Sequence, residues 1–326
     1  MAIDIPDECN GLIMMQRGVI GRDQAIGAGL SGTSITTLLR TDRWQRLHRG
    51  VYATFTGTPG PEALVWAALV RAGPGSMVSH TTAAGLFGFA GLSPERGSPI
   101  HVIVPWDRRP RRLSGVVVHR ARHAEIERHP YLLPPRTRIE VTVLDLVEDA
   151  DTIEDAFAWI CRAVGKGLTN AGRLRREIGR RDNVRWRAAM LDALDDVERG
   201  IRSNLEFRYV RGVERAHGLP EAGRQVRVVR SGRPCYLDNF YAEWLVGVEL
   251  DGLVAHPPGE RWRDFRRDNA GAADGIMTLR YGWADVTGRP CQVAGQVAAV
   301  LRRRGWAGSA RACGASCAAR EQSDRA

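Results

Sequence analysis

The stretch "VGVELDG", residues 246–252, constrains the fold more than any other part of this chain. Together with Trp244 and Leu245 it reads as a strand buried inside a sheet, because β-branched and apolar side chains at this density fit a pleated surface covered by other elements. Its far end is charged. Glu249 and Asp251 are two residues apart, so both carboxylates project from one face, and Gly252 permits a tight exit that leaves them at the rim.

The flanking sequence supplies neighbours for such a strand. Ser203 precedes the helical run "NLEFRYVRGVERAHG", "VRVVR" and "CYLDNFY" read as a strand pair, "RWRDFRRDNAGAADG" as a helix closed by Gly275, "IMTLRYGW" as a further strand and "CQVAGQVAAVLRRRG" as a closing helix. If the strand carrying Asp238 turns at about Ala242–Glu243 into the strand carrying Glu249, the two carboxylates approach one another. Three acids at one sheet edge repel unless a cation lies among them, so removing one should relieve strain in the metal-free protein. Glu206 admits two readings: Ser203-x-x-Glu206 matches a capping box, and a Glu beside the sheet could join a metal site. Asp264, Arg267 and Asp268 share one helix face. Arg280, on an otherwise mostly uncharged strand, needs a carboxylate or phosphate partner.

Upstream the punctuation differs. Residues 21–54 give two short helices separated by Gly27, Gly29 and Gly32, with Ser31 or Thr33 able to cap the second, followed by the hairpin-like alternation of "WQRLHRGVYAT". This is the order of a winged helix-turn-helix, whose second helix would present Thr33, Ser34, Thr36, Thr37 and Arg40 to DNA; the other reading is a small helical cap with a strand. From 59 to 150 two helices, "PEALVWAALVRAG" and "SHTTAAGLFGF", precede two strands, "IHVIVPW" and "GVVVHRAR", around "DRRPRRLSG", and "VTVLDLVEDA" begins a helical stretch. Arg108, Arg109, Arg111 and Arg112 fall at what reads as a hairpin tip, suited to phosphate contact or simply to solvent. His80, His101, His119 and His123 lack metal-ligand spacing and read as ordinary hydrogen-bonding histidines.

The expected organisation is α/β and multidomain: a winged helix-turn-helix over 1–58, an α+β middle domain over 59–150, a helical connector over 151–200, a mixed sheet flanked by helices over 201–307, and a disordered tail over 308–326. A length of 326 residues accommodates several cores. The formal net charge is +10, carried almost wholly by arginine, with Lys166 the single lysine; such a balance points to a polyanionic partner, with DNA the expected one. Six cysteines without a C-x2-C pair indicate neither a zinc ribbon nor a disulfide framework and fit a reducing cytoplasm. No run of about 18 apolar residues is present, so no membrane partner is expected.

The ordered set Ser203-x-Leu205-Glu206, Asp238, Glu249-x-Asp251-Gly252, His256, Asp264, Arg267-Asp268, Arg280 and Trp283 resembles the endonuclease-like domain related to very-short-patch-repair endonucleases, within the restriction-endonuclease-like PD-(D/E)xK folds. The resemblance covers about 201–290. The region before it, with "HRGVY" and "SHTTAAGLFG", is similar to proteins that carry an AbiEi-type antitoxin-like N-terminal region. The resemblance implies a restriction-endonuclease-like sheet with Glu206, Asp238 and Glu249 holding Mg²⁺ or Mn²⁺, which would polarise the scissile phosphate and acidify a bound water. The sequence departs from the pattern twice: Leu237 precedes Asp238 where the motif has proline, and Asp251 replaces its lysine. His256 or Arg280 would then assist the water or the developing charge. Two functions follow, a metal-dependent DNA endonuclease and an AbiEi-like antitoxin or transcriptional regulator whose nuclease-like fold is catalytically silent. The second would bring a toxin encoded nearby as partner.

Overall fold

In the computed structural model, which describes residues 3–88, 98–110, 113–201, 203–230, 233–251 and 274–319, the first helices are set by the small residues that punctuate them. Ser31 is the N-cap of α3 (Gly32–Arg40) and accepts from the Ser34 amide at 3.0 Å. Before it lie α1 (Asp7–Met15), β1 (Val19–Gly21) and α2 (Arg22–Gly27). After it, β2 (Gln45–His48) and β3 (Val51–Ala53) pair antiparallel, and β1 adds to the other edge of β3, giving the order β1-β3-β2. Ile35 and Leu38 of α3, Ala25 of α2, Ile20, Trp44 and Tyr52 form the core beneath these elements.

The chain divides into two compact units, Met1–Ala150 with Arg176–Arg185, and Asp151–Arg175 with Trp186–Ala326. The rest of the first unit is built on α4 (Pro61–Ala72), which starts with proline at its first turn and buries Ala63, Val65, Trp66, Ala67, Ala68, Leu69 and Ala72. It is therefore covered on most of its circumference, as its alanine-rich sequence allows. A second sheet has the order β4-β5-β6, from β4 (Met77–Val78), β5 (Ile100–Pro105) and β6 (Val116–Ala121). The pair β5–β6 is parallel, with Ile100 opposite Val116 and Pro105 opposite Ala121. The basic segment between them is consequently a return connection, and not the hairpin tip that its turn residues suggest. Its length is the overlooked signal, since hairpin loops are usually about 2–5 residues long.

Around this sheet lie α5 (His80–Leu86), α6 (Ala124–Glu127) and α7 (Ile139–Asp149). Helix α7 buries every residue from Ile139 to Val147, including Glu140, Thr142 and Asp145. Segment 176–185 meets it with charges of both signs: Arg181 donates to Asp145 at 2.8 Å, and Glu177 accepts from Arg138, the residue before α7, at 2.8 Å.

In the second unit α8 (Ile153–Gly165) is capped by Thr152, and α10 (Arg187–Glu198) follows α9 (Ala171–Arg180), which carries the chain from one unit to the other. Ser203 caps α11 (Asn204–Arg208), which runs on as a π-helical segment, Tyr209–Arg215. A four-stranded sheet follows in the order β10-β9-β8-β7. Strands β7 (Gly223–Arg230), β8 (Arg233–Tyr241) and β9 (Val246–Asp251) are successively antiparallel, β8 and β9 being joined by a 3-10 turn at Ala242–Trp244, while β10 (Met277–Gly282) lies parallel to β9. The sheet is thus mixed, with the strand singled out by sequence at an interior position. Val246 and Val248 pack with Phe157, Phe207, Tyr209, Tyr241 and Val297, the last from α13 (Pro290–Arg303), which α12 (Trp283–Gly288) precedes.

Candidate nucleic-acid interface

Helix α3 is held from below by Ile35 and Leu38, which turns Thr33, Thr36 and Arg40 outward as exposed residues while Ser34 and Thr37 are half-buried. These positions recur at helical spacing along one side. Several hydroxyls are already engaged locally: Thr36 Oγ1 donates to the Gly32 carbonyl at 2.9 Å, and Ser34 Oγ lies 2.8 Å from Ser31 Oγ. Thr33 and Arg40 reach into solvent from the two ends of the helix.

Beside these helices is a cleft of about 1180 Å³ whose lining includes Arg22, Arg46, Arg49, Arg71, Arg108 and Arg109, against one acid, Asp23. Arg22 opens α2, Arg46 belongs to β2, Arg49 to the turn before β3, and Arg71 to the last turn of α4. None of the six has an ion-pair partner among the described residues, although Arg17 nearby holds Glu62 at 2.8 Å. Arg108 is the most fixed. Its Nη1 donates to the Ala72 carbonyl at 3.4 Å, at the negative end of α4. Gly73, at φ +93°, makes the room, because a Cβ there would stand 2.3 Å from Arg108 Nη1. Six unpaired guanidiniums around one cleft create a positive potential suited to phosphate oxygens.

Sequence reasoning named Arg108 and Arg109 and missed Arg22, Arg46, Arg49 and Arg71, which are dispersed along the chain and meet only when the sheet β1-β3-β2 packs near the end of α4. Arg111 and Arg112 lie outside the described residues. Close by in sequence, the exposed Trp106 has Arg120 4.5 Å and Arg122 5.2 Å from its ring centroid.

The first unit also gathers three histidines. His80 begins α5, His101 is on β5 and His119 on β6; His101 Nδ1 and His119 Nε2 are 3.0 Å apart, and the rings of His80 and His119 stack with centroids 3.9 Å apart. Burial, aided by His119, His101 and Arg181, lowers His80 to about 3, and burial also lowers His101 and His119. Asp145 stands 3.9 Å from His80, and its own burial raises it to about 7 against the pull of Arg181. Nothing in the sequence spacing announces this stack, which depends on the parallel register of β5 and β6.

The acidic strand end lies in the second unit. Asp238 on β8 accepts from the Leu250 amide at 2.8 Å and from Gln225 Nε2 at 2.9 Å. Glu249 is buried on β9, and the cross-strand neighbour Arg280 pairs with it at 2.9 Å and with half-exposed Asp251 at 3.5 Å. Glu206 is buried in the first turn of α11; its amide donates to Ser203 Oγ at 3.1 Å, and the Ser203 hydroxyl lies 3.1 Å from its Oε1. Among the described residues, Glu206, Asp238, Glu249 and Asp251 do not form a set whose ligand atoms all lie within 4.8 Å of one another. The structure therefore joins Glu249 and Asp251 through Arg280, and gives Asp238 and Glu206 partners of their own. His256, Asp264, Arg267 and Asp268 lie outside the described residues.

Part of the wall of the arginine cleft belongs to a stretch that matches a known family. Residues 12–54 match the family model described as transcriptional regulator, AbiEi antitoxin. The matched stretch runs from within α1 to just after β3, so the similarity to an antitoxin and transcriptional-regulator domain is confined to the N-terminal part and does not reach residues 201–290. No curated protein matches the chain. Among solved structures, the chain is similar to the crystal structure of the RV2827C protein from Mycobacterium tuberculosis at 18% identity and a TM-score of 0.37, over 59% of this chain and 79% of that one. Among the described residues no helix is long and apolar enough to cross a membrane.

Proposed function

We propose that the protein is a DNA-binding transcriptional regulator of the AbiEi antitoxin type, in which α2 and α3 act as the helix-turn-helix and β2–β3 as its wing. The observation that carries this reading is the convergence, in the unit that includes the family match, of six arginines without ion-pair partners. In this reading Thr33, Thr36, Thr37 and Arg40 approach base edges from α3, with Ser34 at its first turn, while Arg46 and Arg49 on the wing and Arg22, Arg71, Arg108 and Arg109 around the cleft contact phosphates. A toxin encoded nearby is the partner expected of an antitoxin. The test is retardation of duplex DNA by the full-length protein at rising salt, which is expected to weaken steeply and linearly on logarithmic axes. Binding that is absent at low salt, or indifferent to salt, would sink the proposal.

A second reading, metal-dependent phosphodiester hydrolysis, rests on Asp238 and Glu249 lying on neighbouring antiparallel strands with Arg280 beside them. In it Asp238, Glu249 and Glu206 hold Mg²⁺ or Mn²⁺, and Asp251, His256 and Arg280 serve the water and the phosphoryl charge. Arg280 would have to release its carboxylates. Supercoiled plasmid incubated with the protein and either ion is expected to be nicked by wild type and spared by Asp238→Asn; equal nicking by both proteins would reject these ligands.

A further inference from the structure

The other cluster of ligand-type side chains lies in the second unit and uses residues that neither reading of function employs. His217 follows the π-helical segment, Cys291 sits in the first turn of α13 directly after Pro290, and Cys313 and Cys317 belong to the irregular segment after α13. The imidazole nitrogen and three sulfurs all lie within 4.8 Å of one another. We propose that His217, Cys291, Cys313 and Cys317 form a structural zinc site that fastens residues 308–319 to the core of the second unit.

Three observations converge on this. The first is the imidazole. His217 is fully buried, and its Nδ1 lies 3.0 Å from the Val213 carbonyl, which can only accept, so the proton resides on Nδ1 and the lone pair on Nε2. Nε2 is buried with no hydrogen-bond partner. A ring oriented by a backbone carbonyl through one nitrogen, with the other nitrogen turned toward thiols, is the outer-sphere arrangement found behind metal-bound histidines.

The second observation is the sulfur spacing. Cys291 Sγ and Cys313 Sγ are 3.6 Å apart. A disulfide requires about 2.05 Å, whereas two sulfurs on one tetrahedral zinc, each at about 2.3 Å from the ion, are separated by roughly 3.8 Å. All the cysteines among the described residues are free thiols. The donor set of three sulfurs and one nitrogen is soft and supplies four ligands, which favours zinc over Mg²⁺ or Ca²⁺ and fills the tetrahedron without leaving a position for substrate. The site is accordingly structural and not catalytic.

The third observation is what the site would hold. Residues 308–319, expected from their small polar composition to be disordered, bury Ala310 and Ala319 in the main core of the unit. The Arg311 amide donates to the His217 carbonyl at 2.7 Å. Gly218, at φ +64°, leaves the space that the Arg311 side chain takes, since a Cβ there would come within 2.2 Å of Arg311 Nε. Two alanines and a few hydrogen bonds give such a segment little apolar area of its own, and a metal crosslink between Cys313, Cys317 and residues distant in sequence supplies what the core does not.

The sequence concealed this site because its ligands come from three separate places and the one local pair is C-x3-C, not C-x2-C. The test is elemental analysis of the full-length protein purified under reducing conditions without added chelator, read alongside the visible spectrum after exchange into Co²⁺. One zinc per chain, and the intense absorption of tetrahedral Co²⁺–thiolate coordination, are the expected results. Cys313→Ser, at an exposed position, and Cys317→Ser, at a half-buried one, should lose at least tenfold in zinc affinity, while Cys235→Ser, on β8, should retain the metal. Protein that carries no zinc and gives no thiolate-bound Co²⁺ spectrum overturns the proposal, as does a Cys291–Cys313 disulfide found by mass spectrometry in the reduced preparation, or loss of zinc from Cys235→Ser equal to that from Cys313→Ser.

Discussion

Arg224 and Glu214 form a two-pronged ion pair in the interior of the second unit, the guanidinium donating to both carboxylate oxygens with both side chains almost wholly enclosed. The pair does not stand alone. Tyr241 donates to Glu214 Oε2 at 3.2 Å and shares a 2.9 Å hydrogen bond with Tyr209, while the Ala222 amide also reaches Glu214 at 3.2 Å. Burial and the neighbouring carboxylate raise the Tyr209 hydroxyl well above its usual range, keeping it neutral. Glu214 sits on the π-helical segment after α11 and Arg224 on β7, so the network fixes that segment against the sheet. Replacing Glu214 by alanine leaves the enclosed Arg224 charge with the neutral Asn239 side-chain oxygen in place of a carboxylate, and is expected to destabilise the unit by about 3–5 kcal/mol. Chemical denaturation would measure it, and a loss below about 1 kcal/mol would show that the guanidinium finds water or another acceptor.

The arginine cleft predicts a graded response to charge removal. Arg46 and Arg49 lie on exposed positions of β2 and the following turn and hold no ion pair, so alanine there removes phosphate contacts without opening a core. Each substitution should weaken DNA binding across sequences and reduce the magnitude of the slope of log affinity against log salt by about 1. Arg40→Ala, on α3, should instead relax sequence preference if that helix reads bases. Retardation assays at several salt concentrations separate the two, and unchanged slopes in Arg46→Ala and Arg49→Ala would remove the wing from the interface.

For the acidic strand end, the contacts reverse the expectation drawn from repulsion alone. Asp238 accepts two hydrogen bonds, one from the backbone of β9, so Asp238→Ala leaves the Leu250 amide without its acceptor. The expected cost is about 1–3 kcal/mol, in place of the relief predicted for three unshielded carboxylates. A thermal melt of the metal-free variant decides between them, a higher midpoint than wild type restoring the repulsion argument.

The parts of this fold that could be read from sequence are those fixed locally. Ser31 and Ser203 announce their helices because a hydroxyl beside unpaired amides acts over three residues, and β9 announces itself by apolar density. Contacts created by register stay hidden. His101 and His119 meet because β5 and β6 run parallel, which the Arg- and Pro-rich segment between them disguises as a hairpin. Glu249 finds Arg280 because β10 joins β9 in parallel, placing those two residues opposite one another; the need of Arg280 for an acid was legible, its choice of acid was not. The arginines of the cleft and the ligands around His217 are dispersed in the same way, and no spacing rule gathers them.

The histidine stack predicts how the first unit responds to acid. His80 is lowered from its ordinary value to about 3, and His101 and His119 are lowered as well, so in the folded protein they stay neutral at pH values where the unfolded chain would protonate them. The unfolded state then binds more protons, and the stability contributed by these groups is present above about pH 6.5 and declines as the pH falls toward 3. Asp145 acts oppositely: with its folded value raised to about 7, its contribution grows as the pH falls from there toward 4, and the raised Glu127 works in the same direction. His80 and Asp145 therefore pull stability in opposite directions between about pH 6.5 and 5, and a variant that lacks the His80 titration separates the two. His80→Asn isolates the effect, since His80 holds φ at +48° and asparagine tolerates that backbone better than most residues while carrying no titrating group. As the pH falls below about 6.5, wild type should lose stability relative to the variant, by up to about 1.4 kcal/mol per pH unit. Parallel curves for the two proteins would mean that His80 takes up its proton in the folded state as readily as in the unfolded one, and the stack would have no part in acid sensitivity.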